Sequence, residues 1–310
     1  ATAEVLKLAL DVRRLAPEIA EFIKPEPEIA ILYSKTNIVQ VPPQLHRSGG
    51  TPYLSALRNI WEGGRYLGCR IGFISEKQVL SGKLSRLKLL LVPAAKYMLP
   101  EVTEQITKWP AAGGTVLVVA EIFLFDQYAR QHNSLGKLGL TVRDVTLPEV
   151  LGEGEQVQNY DQSISQTIVY GEVNLVAKTV SEDIFAGRNV EFKATGLVQT
   201  VDPGRAKVLA EFSDGRPAML LSQIGRGKAY YLVAPLERKY YHRLLAPLAE
   251  KLGLNRPVVA VDSQGKLVTG AEVRAVESEN GLLVYASNLT GKSVGFEIKT
   301  ARGNITSVKT

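Results

Sequence analysis

LKLLLVPAAKYMLPEVTEQITKWPAAGGTVLVVAE, residues 87–121, decides the fold. Two continuous apolar runs, LKLLLVPA at 87–94 and TVLVVAE at 115–121, are too short for helices. Neither alternates as a strand with one wet face would, so both read as strands covered on both faces. Between them, PEVTEQITKWPAAGG (100–114) carries apolar side chains at Val102 and Ile106, a helical spacing. A proline opens it, and Gly113 and Gly114 close it where a helix needs a left-handed cap. Strand, crossover helix and strand define a parallel βαβ unit.

The pattern repeats outward. EIAILYS (28–34) and RIGFIS (70–75) read as further strands, and YLSALRNIWEGGRYLG (53–68) as the helix between them. This predicts an α/β, doubly wound, flavodoxin-like parallel sheet. VLAEFSDG and PAMLLSQIGRGKAYYLVAPL add a hairpin and a return strand, with the turn at Gly225–Gly227, and a last helix runs from Tyr240 to Leu252 before Gly253. Within the return strand Tyr230 and Tyr231 alternate, so one is expected to face inward and one outward. Residues 151–204 lack helical period and read as a β-rich insertion. From 257 to 310 short strands separated by turns such as SENG and LTGK suggest a small antiparallel β-sandwich. Ahead of all this, Val5, Leu8, Val12, Leu15, Ile19 and Phe22 mark one face of a helix over 4–22 that PEPE (25–28) stops. The expected organisation is a linker helix over 1–26, an α/β domain over 27–256 and the small domain over 257–310. Both ends look cut from a longer chain.

The chain has 310 residues, 45% hydrophobic and 22% charged, an ordinary globular composition. Its net charge of +6 is dispersed, with no basic run, so no nucleic-acid partner is expected. No stretch is long enough to span a membrane and no secretory signal opens the chain; a cytoplasmic location is favoured. Cys69 is the single cysteine, which excludes an internal disulfide and a cysteine cluster, and it reads as a buried, inert thiol. His46, His132 and His242 lack metal-ligand spacing. Neither GxGxxG nor a Walker sequence follows a strand. No cofactor and no metal are expected. Asn288 and Asn304 lie in NLT and NIT sequons, which are short enough to arise by chance.

PEIAILYS, YLSALRNIWEGGRYLGCRIGFIS, LKLLLVPAAKYMLP, WPAAGGTVLVVAE and FSDGRPAMLLSQIGRGKAYYLVAPLE, in this order and spacing, resemble the trimerisation domain of family 42 β-galactosidases, part of the class I glutamine amidotransferase-like superfamily. The resemblance covers roughly 27–256. It implies a catalytic barrel before this region in the same chain, a small β-sandwich after it, similar to what 270–298 suggest, and a homo-oligomer, a trimer by resemblance. Active amidotransferases carry a nucleophilic cysteine in a sharp turn after a strand and a histidine two residues before a glutamate. Here the first position falls at Ala120 or Glu121 and the second at Ala234–Leu236, ahead of Glu237. Both catalytic partners are missing.

The resemblance therefore implies a non-catalytic accessory and oligomerisation region of a larger glycoside hydrolase. Two other readings stay open. One is a carbohydrate-binding module using the cleft at the strand ends and the insertion at 151–204, with Glu121 and Glu237 as carboxylates and Trp61 and Tyr66 as stacking surfaces beside Tyr53; Glu237 and Asp126 could alternatively complete a carboxylate pair with Glu121 for acid–base work. The other is an autonomous hydrolase with an unfamiliar site.

Overall fold

The computed structural model describes residues 2–40, 52–132, 134–146, 150–158, 164–170, 175–181, 183–185, 190–194, 198–278, 281–290 and 292–300. His46, Asn304 and parts of the expected 151–204 insertion lie outside the described residues. The chain divides into two compact units.

The larger unit, 29–64 and 73–253, is organised by strands β1 (Ile29–Tyr33), β2 (Ile71–Ser75), β3 (Leu89–Val92) and β4 (Thr115–Val119). These are followed by β5 (Thr141–Thr146), β6 (Val150–Gln158), β7 (Ile164–Tyr170), β8 (Val176–Thr179), β9 (Glu191–Lys193), β10 (Val198–Asp202), β11 (Lys207–Phe212), β12 (Pro217–Ile224) and β13 (Gly227–Leu232). A nine-stranded mixed sheet runs β2-β1-β3-β4-β13-β12-β11-β8-β9. β1, β3, β4 and β13 are mutually parallel, and from β13 to β9 each neighbour is antiparallel. β5 pairs with β10 and β6 with β7 as separate antiparallel ribbons.

The continuous apolar runs have the expected consequence: every residue of β3 and β4 is buried. At roughly 1.5–3 kcal/mol for each fully buried aliphatic side chain, this central pair is the thermodynamic heart of the unit. The crossover helix Pro100–Lys108 carries proline at its start and buries Val102 and Ile106. Gly113 follows at φ 111°, the left-handed conformation that only glycine adopts without cost. Gly114 has a different reason: a Cβ there would lie 2.2 Å from the Trp109 ring.

Helix Pro52–Gly64 packs against helix Arg238–Lys251. A Cβ on Gly63 would lie 2.5 Å from the Arg238 carbonyl, so glycine sets how closely the two approach. Tyr230 and Tyr231 are both buried, each about 1% exposed, which corrects the expectation that one faces outward: β13 is an interior strand, and both of its faces are covered. Two short helices, Lys35–Gln40 and Glu76–Leu80, stand where no helix is expected from periodicity. The second is fixed by a reciprocal capping box between Ser75 and Gln78.

The smaller unit comprises 1–28, 65–72 and 254–310. It contains β14 (Val258–Val261), β15 (Ala271–Ser278), β16 (Gly281–Asn288) and β17 (Glu297–Thr300). β14 pairs antiparallel with β17, and β15 with β16. Val258, Ala260, Ala271 and Val273 form its core, with Phe296 and Ile298 packed against it. Glu272, 3% exposed, is held by Arg65 at 2.5 Å and Arg274 at 2.5 Å. Cys69 is buried here, and burial pushes its thiol up to about 11, a protonated and inert state at neutral pH. The leading helix is two pieces, Thr2–Arg14 and Ala16–Glu21. Pro17 lacks the donor an unbroken helix would require, so the break falls at Leu15. The Asn288 sequon is folded into a turn in which the Asn288 side chain accepts from the Thr290 amide at 2.9 Å.

Candidate functional site

The carboxyl ends of the parallel strands are where an open α/β sheet offers a ligand site. The ladder continues one residue past β4, with the Ala120 amide donating to the Leu232 carbonyl at 2.8 Å. The chain then turns sharply at Glu121, whose φ is 62°. A non-glycine residue held there costs on the order of 1–3 kcal/mol and persists only where its surroundings over-determine it. The sharp turn after the strand is therefore present at Glu121, and the side chain it carries is a carboxylate.

Several contacts hold this turn. The Glu121 amide donates to Gln199 Oε1 at 3.0 Å, and the Tyr231 hydroxyl donates to the same oxygen. Gln199, 2% exposed, is fixed in turn by its own amide, which donates to the Val233 carbonyl at 2.8 Å. Because an N–H must face an acceptor, the Glu121 amide fixes the orientation of the Gln199 carboxamide. Burial pushes the Tyr231 hydroxyl far above its ordinary value, with the Glu121 charge adding to the effect. Tyr231 therefore stays a protonated donor. The backbone donor that would otherwise be available to an anion at this turn is occupied by a side-chain oxygen from β10.

The Glu121 carboxylate pairs with Lys96 Nζ at 3.4 Å. That ammonium also lies 5.8 Å from the Phe125 ring centroid. After Glu121 the chain makes a tightly bonded loop, in which the amides of Phe123, Leu124 and Phe125 donate to Ala95 and Lys96 carbonyls. Phe123 and Ala129 also have positive φ, 52° and 59°. Asp126 Oδ1 accepts from the amides of Tyr128 and Arg130 at 2.8 and 2.9 Å, so this acid shapes the loop.

The segment Ala234–Leu236 is equally occupied by the protein's own groups. Ala234 and Leu236 are buried. The Leu236 amide donates to the Tyr241 hydroxyl at 3.3 Å, and its carbonyl accepts from Asn59 Nδ2 at 3.1 Å. Glu237 stands at the start of helix Arg238–Lys251 and pairs with Lys239 at 3.0 Å. Glu121 and Glu237 thus have different cationic partners. Trp61 is a half-buried residue of helix Pro52–Gly64, whereas Tyr66 lies in the 3-10 turn Arg65–Leu67 and belongs to the smaller unit. Of the four residues expected from sequence, Trp61, Glu121 and Glu237 lie in the larger unit and Tyr66 in the smaller.

The strand order reverses between β1 and β3, the second position where such sheets bind ligands. Ser34 Oγ donates to Glu76 at 2.9 Å and accepts from the Asn37 amide at 3.0 Å. The Thr36 amide donates to the other Glu76 oxygen at 3.3 Å, and Asn37 Oδ1 accepts from the Tyr97 amide at 2.9 Å. Tyr53 accepts from the Ser34 amide at 2.7 Å and donates to the Leu32 carbonyl at 2.9 Å. These polar groups satisfy one another. Tyr53, considered as a stacking surface from sequence, is instead a buried hydrogen-bonding pillar.

No group of three histidine, cysteine, aspartate or glutamate residues suited to a metal occurs among the described residues. No helix among them is long and apolar enough to cross a membrane. Two residues central to the turn are not marked by spacing. Lys96 carries a signal, since it sits just past a parallel strand. Gln199 carries none, because its 78-residue separation from Glu121 is bridged only by the fold.

Fold and site together define an α/β protein with a mixed nine-stranded sheet, small antiparallel sheets, and a strand-end turn occupied by its own side chains. Residues 166–255 match the family model of the β-galactosidase trimerisation domain, so the chain carries a region similar to the assembly domain of those enzymes. No curated protein matches the chain by sequence.

Among solved structures, a catalytic mutant of a GH42 β-galactosidase from G. stearothermophilus superimposes with TM-score 0.64 at 18% identity, covering 86% of this chain and 35% of that one. The β-galactosidase from Bacillus circulans sp. alkalophilus gives TM-score 0.63 at 17% identity, covering 89% and 40%. An exo-carrageenase GH42 from Bacteroides ovatus gives 0.52 at 15%, covering 98% and 28%. The chain thus spans about a third of the length of these enzymes, and at such identities the likeness is one of fold.

Proposed function

We propose that this chain is the accessory, subunit-assembling region of a glycoside hydrolase of β-galactosidase type, with catalysis carried by a barrel elsewhere in the same polypeptide. The match of residues 166–255 to the β-galactosidase trimerisation domain carries this reading. That match spans β8 to β13 and helix Arg238–Lys251, the part that adds antiparallel strands to the parallel sheet. The occupied turn at Glu121 supports it from the chemical side: the position of the nucleophile holds an ion-paired carboxylate, and the nearby backbone donor is spent on Gln199.

In finer detail we read residues 27–256 as a doubly wound, flavodoxin-like domain of the amidotransferase-like superfamily with a β-rich insertion at about 151–204. Residues 257–310 are read as a small β-sandwich, and 1–26 as a linker helix. Light scattering on the isolated chain tests the assembly, with a trimer as the expected mass. An assay with a chromogenic galactoside is expected to give no turnover. Turnover abolished by Glu121→Gln would overturn the proposal.

One observation favours a second reading. Gln199 Nε2 is buried without a hydrogen-bond partner beside the Glu121 turn, a donor that a sugar hydroxyl would satisfy if the turn opened to admit it. Calorimetry with galactose and short oligosaccharides tests it; the absence of heat and of any thermal shift would rule the carbohydrate-binding reading out.

A further inference from the structure

Among the described residues, the non-glycine residues with positive φ are Glu121, Phe123 and Ala129, so backbone strain of this kind is confined to one loop at the carboxyl end of β4. Two buried polar atoms without a hydrogen-bond partner belong to the same place. One is Gln199 Nε2, on the carboxamide whose oxygen accepts from the Glu121 amide at 3.0 Å, and the other is Gln127 Oε1, within the loop itself. Buried polar groups are almost always paired. Strained φ values cluster at ligand clamps and switches, where the surroundings over-determine them. Here the two exceptions coincide.

The loop is fastened in two separate ways. Beyond Glu121, the amides of Phe123, Leu124 and Phe125 are bonded to the Ala95 and Lys96 carbonyls, and the Met98 amide donates to the Phe125 carbonyl at 3.0 Å. That part can move only together with 95–98. The Glu121 turn, by contrast, is held by its amide to Gln199 and by its carboxylate to the half-buried Lys96. Rotating Glu121 out of the left-handed region relieves its strain and breaks one buried hydrogen bond, the one that covers the Gln199 carboxamide.

Resting on the carbohydrate-binding reading above, we propose that the Glu121 turn is a gate over a site for a neutral polyhydroxylated ring, a pyranose, and that Gln199 is the amide that receives it. Charge selects a neutral ligand, because Glu121 and Lys96 already neutralise one another at 3.4 Å. Hydroxyl groups are selected by the orphan atoms. Gln199 Nε2 needs an acceptor and Gln127 Oε1 a donor, and a hydroxyl supplies either. The aromatic rings of Tyr97 and Phe125, half-buried and joined by a parallel bridge, stand 5.6 Å apart at 30°. Lys96 links them to the turn, its ammonium lying 5.8 Å from the Phe125 centroid. Their negative ring faces suit the C–H face of a sugar ring, and a few fixed polar groups beside aromatic surface are the usual make-up of a small-molecule site.

The test uses the full 310-residue chain with galactose and lactose as probes. Equilibrium dialysis reads binding, and nuclear magnetic resonance reads the Gln199 side-chain amide signals and the hydrogen exchange of the Glu121 amide. Saturating galactose is expected to shift the Gln199 side-chain signals. It should also accelerate exchange of the Glu121 amide about tenfold, the reverse of the protection that a ligand bound to a closed turn would give, with amides inside β3 unchanged. Phe125→Leu is expected to weaken binding about fivefold; should that variant fail to fold, the signals of the parent chain decide the matter. Galactose that binds without moving the Gln199 signals overturns this site and leaves the carbohydrate-binding reading standing. Signals that move while Glu121 exchange stays constant or slows overturn the gate, and a folded Phe125→Leu chain that binds as tightly as the parent overturns the aromatic wall. No binding of either sugar overturns both the site and the reading it rests on.

Discussion

Gln199 is the residue on which the strand-end turn depends. Its carboxamide oxygen satisfies the Glu121 amide and the Tyr231 hydroxyl, both inaccessible to solvent, and each donor left unsatisfied costs about 1–3 kcal/mol. Gln199→Leu is therefore expected to destabilise the chain by roughly 2–4 kcal/mol, read by urea denaturation; a change below about 1 kcal/mol would mean that the Glu121 conformation is held by other contacts.

Asp183 makes a second residue-scale case. Burial works against its charge, but Lys251 at 2.8 Å, Lys228 at 3.3 Å and the Tyr230 hydroxyl at 3.1 Å outweigh it and hold the carboxyl below its ordinary value. A depressed carboxyl contributes stability that is present above the unfolded-state value and is lost as pH falls through the folded one. The parent chain should thus lose stability from about pH 4 downward. Asp183→Asn should remove that part of the acid sensitivity and cost about 1 kcal/mol at neutral pH, a figure discounted for solvent access. Acid melts of the two proteins check it, and superimposable acid limbs would refute it.

At the scale of elements, the turn from β12 to β13 does more than reverse the chain. Gly227 opens β13 beneath the 109–114 turn, and a Cβ there would lie 2.0 Å from the Gly114 carbonyl oxygen and 2.4 Å from that of Pro110. Both obstacles are backbone, so neither can rotate away. Gly227→Ala should cost roughly 1–3 kcal/mol, measured by chemical denaturation, whereas Gly215→Ala should act through its φ of 81° alone, since nothing lies near its Cβ. Elements with a strong local signal were legible in sequence. β3 and β4 follow from uninterrupted apolar runs, and helix Pro100–Lys108 from its proline, its period and its closing glycines. Helices Lys35–Gln40 and Glu76–Leu80 were not, because six and five residues are too few for a period to register. The break at Leu15 was missed because the apolar face continues through Pro17 and masks the lost donor.

For the whole molecule, self-association links stability to concentration. If copies of this chain assemble, the thermal midpoint must rise with protein concentration, because mass action favours the folded oligomer. This is the thermal form of the trimer expected by light scattering, and a flat midpoint together with a monomeric mass would remove the assembly reading. The candidate site belongs to this scale as well. Lys96 could be suspected from its place just past β3, and Glu121 from its place past β4. Gln199 could not, since it reaches the turn from β10, across a stretch whose sequence has no period to place it.

The sequence by itself determined the parallel βαβ core, the strand character of the later segments, and that neither cysteine nor histidine stands at Ala120, Glu121 or Ala234–Leu236. Local propensity, hydrophobic period and residue identity suffice for these, because each is written within a few neighbouring residues. Only the tertiary structure decided that the strand-end turn is occupied by Gln199 and that Tyr230 and Tyr231 are both interior. Each of these depends on which distant strand or helix lies alongside, and that is set by the collective burial of the sheet.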